Sequence, residues 1–272
     1  SLPSVLANYD NPDVAAFSVS MWNEQLNLAV AREVKKRWPK CLILFGGCHV
    51  PHHPKGYMEK YPFIDVCVRA DGEEAFLDVL IRFLDSRDFS NIEDVTYRKT
   101  DGELVEDERH RKFDKNLDCY PSPYLLGFYD YLMDAQREGK KYQGIIETNR
   151  GCNWGCDFCY WGQGGLLTRY KFHGTEYVKD EITWMGKNRI PYVFGADSNW
   201  GQHPRDMELT EHIVRTKKDY GYPDKFRVCL ASGTKVRTIE GERAIEDVLS
   251  GNLVLGWDEG RLEERRGVLI VV

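Results

Sequence analysis

Residues 150–160 read Arg-Gly-Cys-Asn-Trp-Gly-Cys-Asp-Phe-Cys-Tyr, and the three cysteines in that run constrain this chain more than any other feature. Cys152, Cys156 and Cys159 have a Cys-x3-Cys-x2-Cys spacing, which suits three irons of a four-iron, four-sulfur cluster and leaves the fourth iron without a protein ligand. Such an open corner can bind and reduce a small molecule. Zinc is the plain alternative, because structural zinc sites pair cysteines as Cys-x2-4-Cys with two further ligands. The sequence has no second pair, although His173 or Cys119 could supply one ligand. An electron-transfer ferredoxin takes a fourth nearby cysteine, and none follows this loop.

With 272 residues and 42% hydrophobic content, the chain can bury more than one core. A formal charge of −6 and a pI near 5.7 argue against a nucleic-acid or membrane-surface binder. No apolar run approaches a membrane span, and no secretory signal is read at the start. Three of the eight cysteines cluster and five are scattered, so a reducing cytoplasm is expected rather than a disulfide framework. The chain starts at Ser1 and stops inside the apolar run Val268–Val272. Both ends are therefore expected to be cut, with partial domains flanking a complete middle.

Periodicity predicts two strand–helix series. Residues 13–19 read as a buried strand, followed by a helix with Trp22, Leu26, Val30, Val34 and Trp38 on one face and Pro39 closing it. Cys41–Phe45 is a second strand, stopped by Gly46-Gly47, and Phe63–Val68 a third, followed by a helix over 73–85 that carries Phe76, Leu80 and Phe83. This alternation implies a parallel sheet with helices on its faces, whose ligand loops lie at the strand C-termini. A hairpin is expected around Asp101-Gly102, and a linker through Pro121-Ser122-Pro123. The second series has strand 144–148 running into the cysteine loop, helix 175–187, strand Tyr192–Gly195, helix 205–219 between Pro204 and Gly221, and strand Lys225–Val228. After Cys229 short apolar stretches alternate with turns at Glu240-Gly241, Ser250-Gly251 and Glu259-Gly260, which suggests all-β hairpins.

The run from Glu147 to Cys159 resembles the radical S-adenosylmethionine enzymes, with Phe158 at the aromatic position before the third cysteine and Asn153 where the family commonly has proline. The resemblance implies a loop after the first strand of a partial (β/α)6 barrel. It also implies a cluster whose open iron is chelated by S-adenosylmethionine, and one-electron cleavage to a 5′-deoxyadenosyl radical that abstracts a substrate hydrogen. Asp197 and Asn199, just after the second strand of this series, become candidates for the cosubstrate's amino group, since both offer oxygen acceptors. An Asx turn capping the next helix is the alternative.

Gly46-Gly47-Cys48-His49 after a strand, together with Asp65-Val66-Cys67-Val68-Arg69-Ala70-Asp71-Gly72-Glu73, resembles the cobalamin-binding domain that precedes the barrel in one class of these enzymes. The resemblance places Ser18, Gly46, Gly47, Gly72 and Glu73 near a cobalamin. The usual Gly-Glu-Gly-Glu is here Ala70-Asp71-Gly72-Glu73, the expected first strand is missing, and no Asp-x-His-x-x-Gly motif supplies a histidine to cobalt. His49, His52 and His53 read as a solvated loop, having no acidic partner within the same turn.

The ordered set Cys229-Leu230-Ala231-Ser232-Gly233-Thr234, Gly241, Ala244-Ile245-Glu246-Asp247, Gly251-Asn252 and Val254-Leu255 resembles the amino-terminal block of an intein. In that family the thiol of the first residue, here Cys229, attacks the preceding carbonyl, that of Val228. The alternative is a β tail with an inert buried thiol.

The expected fold is α/β: a partial doubly wound cobalamin-binding-like sheet over 1–90, a linker and hairpin over 91–140, the start of a radical S-adenosylmethionine barrel over 141–228, and a truncated all-β intein (Hint) segment over 229–272. The expected cofactors are a [4Fe-4S] cluster, S-adenosylmethionine and cobalamin. The expected partners are an electron donor, a small-molecule or peptide substrate and a carboxyl-terminal intein fragment, with no nucleic acid and no membrane. The alternative function is a non-catalytic iron–sulfur or zinc domain with a β-rich tail.

Overall fold

A computed structural model of the chain describes residues 2–8, 10–111, 116–152, 171–201, 203–228, 235–238, 240–244, 247, 253–258 and 261–266. It divides into two compact units, Ser1–Lys112 and Phe113–Val272.

The first unit begins with α1 (Leu2–Leu6), β1 (Val14–Ser18) and α2 (Glu24–Arg37), followed by β2 (Leu42–Gly46), α3 (Lys55–Lys60) and β3 (Val66–Val68). It ends with α4 (Gly72–Asp85), β4 (Val95–Arg98) and β5 (Leu104–Glu106). β1, β2 and β3 pair in parallel, β4 and β5 add antiparallel, and the sheet order is β1-β2-β3-β4-β5. Successive strand residues face opposite sides. Ala15, Phe17, Ile43, Phe45 and Cys67 therefore meet α1, α2 and α3, through Leu6, Leu28, Ala31, Val34 and Met58. Leu42, Leu44, Val66 and Val68 meet Ala75, Val79 and Phe83 of α4.

Two details differ from the sequence expectation. Trp22 and Leu26 are 81% and 51% exposed, outside the buried face of α2. The helix starts at Glu24, and Asn23 and Asn27, one turn apart, both donate their side-chain amides to the Ser18 carbonyl at 3.0 and 2.9 Å. That anchor turns the row through Ala31 and Val34 to the sheet and Leu26 outward. The interval 91–140 is also shared between units. Its hairpin extends the first sheet, because β4 pairs with β3, while residues 113–140 fall in the second unit.

The second unit carries α5 (Asp130–Arg137), β6 (Gln143–Ile146), β7 (Asn149–Arg150), β8 (Lys171–Phe172), α6 (Thr175–Lys187), β9 (Tyr192–Gly195), α7 (Pro204–Tyr220) and β10 (Lys225–Arg227). β6, β9 and β10 are parallel neighbours in sequence order. α5, α6 and α7 pack on the face that presents Ile146 and Val193, whereas Ile145, on the opposite face, is 58% exposed. α6 and α7 approach closely at Gly186, where a Cβ would lie 2.4 Å from Thr216 Cγ2. Asp206 holds the start of α7 by accepting from the Gly201 and His203 amides, and Gly221 ends it at φ 76°. Beyond lies an antiparallel sheet of two hairpins, β11 (Lys235–Thr238) with β12 (Gly241–Ala244) and β13 (Leu253–Asp258) with β14 (Arg261–Arg266), joined through Thr238 and Val254. No helix among the described residues is long and apolar enough to cross a membrane.

Candidate functional site

Because β1, β2 and β3 run parallel, their C-terminal ends share one edge. Ser18 ends β1, Gly46 ends β2, and Arg69 to Glu73 follow β3. The backbone continues the pairing past the strands, with Val19 N donating to Gly46 O at 2.7 Å and His49 N to Val19 O at 3.1 Å. Gly47 sits inside that crossing at φ +102°, where a Cβ would lie 2.8 Å from Val19 O and 2.9 Å from Val19 N. Ser18, Gly47, Cys48 and His49 are exposed, so the edge is an open ledge of backbone. Ala70 takes φ +54°, a left-handed conformation that favours glycine. The departure from the usual glycine thus falls where the backbone still asks for one. Asp71 is extended and leads into the first turn of α4, which holds Gly72, Glu73 and Glu74.

Arg69, only 5% exposed, fixes the walls of this ledge. Its guanidinium donates to the His52 and Asp107 carbonyls and lies 3.6 Å from Glu106. His53 meets Glu106 at 2.8 Å and His49 meets Glu24 at 3.7 Å, so these histidines find acidic partners on other elements, which spacing alone did not reveal. Arg69 was not singled out from sequence either; a cation straight after an apolar strand was its only signal.

In the second unit the cysteine loop leaves from the end of β6. Asp197, two residues past β9 and 3% exposed, accepts from Thr148 N at 2.6 Å, Asn149 N at 3.0 Å and Thr148 Oγ1 at 2.7 Å. Burial pushes its carboxyl up to about 6, against the pull of those donors. Arg205 donates to the Thr148 and His173 carbonyls and lies over the Phe172 ring at 4.6 Å. Asp118 accepts from Gly174 N at 2.8 Å and meets His173 Nδ1 at 3.1 Å, while the His173 ring stacks on Tyr177 at 4.3 Å. β7 and β8 pair antiparallel between these anchors. Both ends of the segment 153–170 are thus held together.

Cys152 is 6% exposed, and Asn199 Nδ2 donates to its Sγ at 2.9 Å. The Ser198 hydroxyl donates to the Gly151 carbonyl beside it. Cys156, Phe158 and Cys159 lie outside the described residues, as does Cys229. Of the two side chains considered as a fourth zinc ligand, His173 is engaged by Asp118, and Cys119 is exposed with its Sγ 3.3 Å from the Asn116 carbonyl. The Asp197 oxygens bond to Thr148 and Asn149, at the end of β6 and the start of β7, and not to the start of α7. Thr148, Arg205 and Asp118 were not legible as site residues, since no local pattern marks partners so distant in sequence.

Comparison with known proteins adds the following. Residues 5–80 match the B12 binding domain family. The chain is 35% identical over 238 residues to the cobalamin-dependent radical SAM methyltransferase TokK of Streptomyces tokunonensis, covering 87% of this chain and 34% of that protein. It is 32% identical over 243 residues to the 2-(S-pantetheinyl)-carbapenam-3-carboxylate methyltransferase of Streptantibioticus cattleyicolor, covering 89% and 35%. The chain thus spans about a third of the length of these curated relatives. Among solved structures, the cobalamin-dependent S-adenosylmethionine radical enzyme OxsB with aqua-cobalamin and S-adenosylmethionine bound superposes with a TM-score of 0.62 at 18% identity, over 83% of this chain and 32% of that one. That likeness is one of fold: a mixed α/β fold with a parallel sheet.

Proposed function

We propose that this chain is part of a cobalamin-dependent radical S-adenosylmethionine methyltransferase, in which the first unit holds the corrinoid and the second holds the cluster and its cosubstrate. The observation that carries the reading is the setting of Cys152, buried just past the end of a parallel strand, with both ends of its loop clamped by Asp197, Arg205 and Asp118.

The residues present fit both groups. For the cluster, the Cys152 sulfur is buried and receives an amide N–H, the kind of outer hydrogen bond that orients a metal-ligating side chain. Cys156 and Cys159 complete the donor set by spacing. For the corrinoid, Ser18, Gly46, Gly47, Gly72 and Glu73 lie along the C-terminal edge of the parallel strands, with Ser18, Gly47 and Glu73 exposed, and that edge is where such a sheet takes a ligand. When bound, these groups supply the low-potential electron, the carbon radical and the methyl carrier; the protein orients them and keeps water away.

Phe158, Asp197 and Asn199 remain the candidates for contact with S-adenosylmethionine. Of the two that are described, Asn199 is half-buried beside Cys152, whereas Asp197 is buried with its oxygens turned to the loop entry, so Asn199 is the better placed. The open face of the β6-β9-β10 sheet, opposite its helices, is what the inner face of a partial (β/α)6 barrel requires. A pantetheinyl-bearing carbapenam carboxylate, named for one relative, is the first substrate to test.

Anaerobic purification tests the reading. Four irons and one corrinoid per protein are expected, with a spectral change on adding S-adenosylmethionine. Cys152→Ala is expected to lose the cluster and keep the corrinoid. Zinc in place of iron, or a colourless protein, would end this reading.

For residues 229–272 an intein amino-terminal segment is the proposed identity. It is supported by the order of the motifs and by the change from β/α units to antiparallel hairpins after β10. Replacing Cys229 by alanine should abolish ligation of the flanking halves in a protein supplied with a carboxyl-terminal fragment.

A further inference from the structure

We propose that Asn199 sets the reduction potential of the cluster through its N–H···S hydrogen bond to Cys152. The inference rests on the assignment of Cys152 as a cluster ligand and concerns the electron rather than the cosubstrate.

Three observations carry it. The Asn199 amide nitrogen lies 2.9 Å from the Cys152 sulfur. The pair is shielded, Cys152 being buried and Asn199 half-buried, and low local dielectric strengthens such a bond. Asn199 is also held on both sides. Asp197 is tied to Thr148 and Asn149, Ser198 donates to the Gly151 carbonyl, and Trp200 is buried with its indole N–H 3.2 Å from Thr210 Oγ1. A donor fixed by its neighbours needs no reorganisation when the charge on sulfur changes.

The redox step is simple. One electron enters from an external low-potential one-electron donor, no bond breaks and no proton moves. The added negative charge is shared by the ligating sulfurs, so a donor aimed at one of them stabilises the reduced form more than the oxidised form. Asn199 therefore raises the potential and makes the cluster easier to reduce.

The test uses Asn199→Ala and Asn199→Asp in the full-length protein with its cluster reconstituted anaerobically. Iron per protein, circular dichroism and an electron paramagnetic resonance redox titration are recorded without S-adenosylmethionine, which removes any contribution from cosubstrate contact. Wild-type iron content is expected in both variants. Reduction of Asn199→Ala should be about tenfold less favourable, equivalent to about 59 mV for one electron, with a larger drop for the anionic Asn199→Asp. A loaded variant whose potential equals or exceeds that of the wild type overturns the proposal. Loss of the cluster from both variants with unchanged circular dichroism also overturns it, because Asn199 would then only support the loop. A wild-type protein that takes up no iron instead fails the cluster assignment itself, and the iron analysis alone separates that result from the others.

Discussion

Thr148 and Asp197 stand just beyond the ends of two neighbouring parallel strands, and the Asp197 carboxylate takes both the amide and the hydroxyl of Thr148, at 2.6 and 2.7 Å. The pair closes the gap where one strand hands over to the cysteine loop and the next to the segment bearing Asn199. A buried carboxylate is an expensive way to do this, and its cost is measurable.

Burial holds the folded-state pKa of Asp197 at about 6, above the ordinary value of 3.8. The folded state therefore keeps the proton over a range in which the unfolded chain has lost it. Stability from this group is fully present below pH 3.8 and is lost as pH rises through 6, a change of about 3 kcal/mol at 1.36 kcal/mol per pH unit. Urea unfolding of the wild type and of Asp197→Asn at a series of pH values isolates the effect. The wild type is expected to lose stability relative to the variant between pH 4 and 7 by roughly that amount.

Ala70 offers a gain rather than a loss. Its φ of +54° costs an L-residue about 1–2 kcal/mol, which glycine avoids. Glycine gives back about 0.4–1 kcal/mol through the freedom of the unfolded chain. Ala70→Gly is therefore expected to stabilise the first unit by about 0.5–1 kcal/mol. Hydrogen exchange at the β3 amides, which reports local opening, should slow accordingly.

What the sequence made legible was the punctuated β/α framework. Gly46-Gly47 stops β2 where expected, helix 175–187 and strand Tyr192–Gly195 coincide with α6 and β9, and Pro204 and Gly221 bracket α7. The short helices were not legible: α3 buries only Met58, too little for a periodic signal. The phase of α2 was misjudged because Trp22 and Leu26 look like core residues, while two asparagine amides bonded to Ser18 set the rotation. The hairpin turn at Gly102 was legible from Asp101-Gly102, but not the membership of β4 in the first sheet, which depends on pairing with β3 far upstream. The candidate site behaved in the same way. Its cysteines are a reading from spacing, of which only Cys152 is among the described residues, whereas Thr148, Arg205 and Asp118 act across long separations that leave no local pattern.

Gly186 sets how closely α6 and α7 pack. A methyl group there would meet Thr216 Cγ2 at 2.4 Å and Tyr220 Cδ2 at 3.1 Å, and the β-branched, buried Thr216 cannot swing away. Gly186→Ala gains about 1 kcal/mol of helix propensity, and overpacking costs about 1–3 kcal/mol. A net loss is expected. Adding Thr216→Ala should remove the clash and recover most of the loss, a coupling that a double-mutant cycle in urea measures directly.

Arg205 reaches both lips of the cysteine loop, donating to Thr148 O on the way in and His173 O on the way out. A lysine in its place keeps the charge but presents a single point, which cannot span two carbonyls as a planar fork does. Arg205→Lys is expected to leave one of those carbonyls without its donor, at a cost of about 1–3 kcal/mol. The penalty falls on the loop that carries Cys152, so if the proposed cluster assignment holds it should reach the iron content as well as the fold. Iron bound per protein after reconstitution should drop in Arg205→Lys, while corrinoid retention by the first unit stays at the wild-type level. Equal losses of iron and corrinoid would mean that the substitution unfolds the chain, not that it opens the loop.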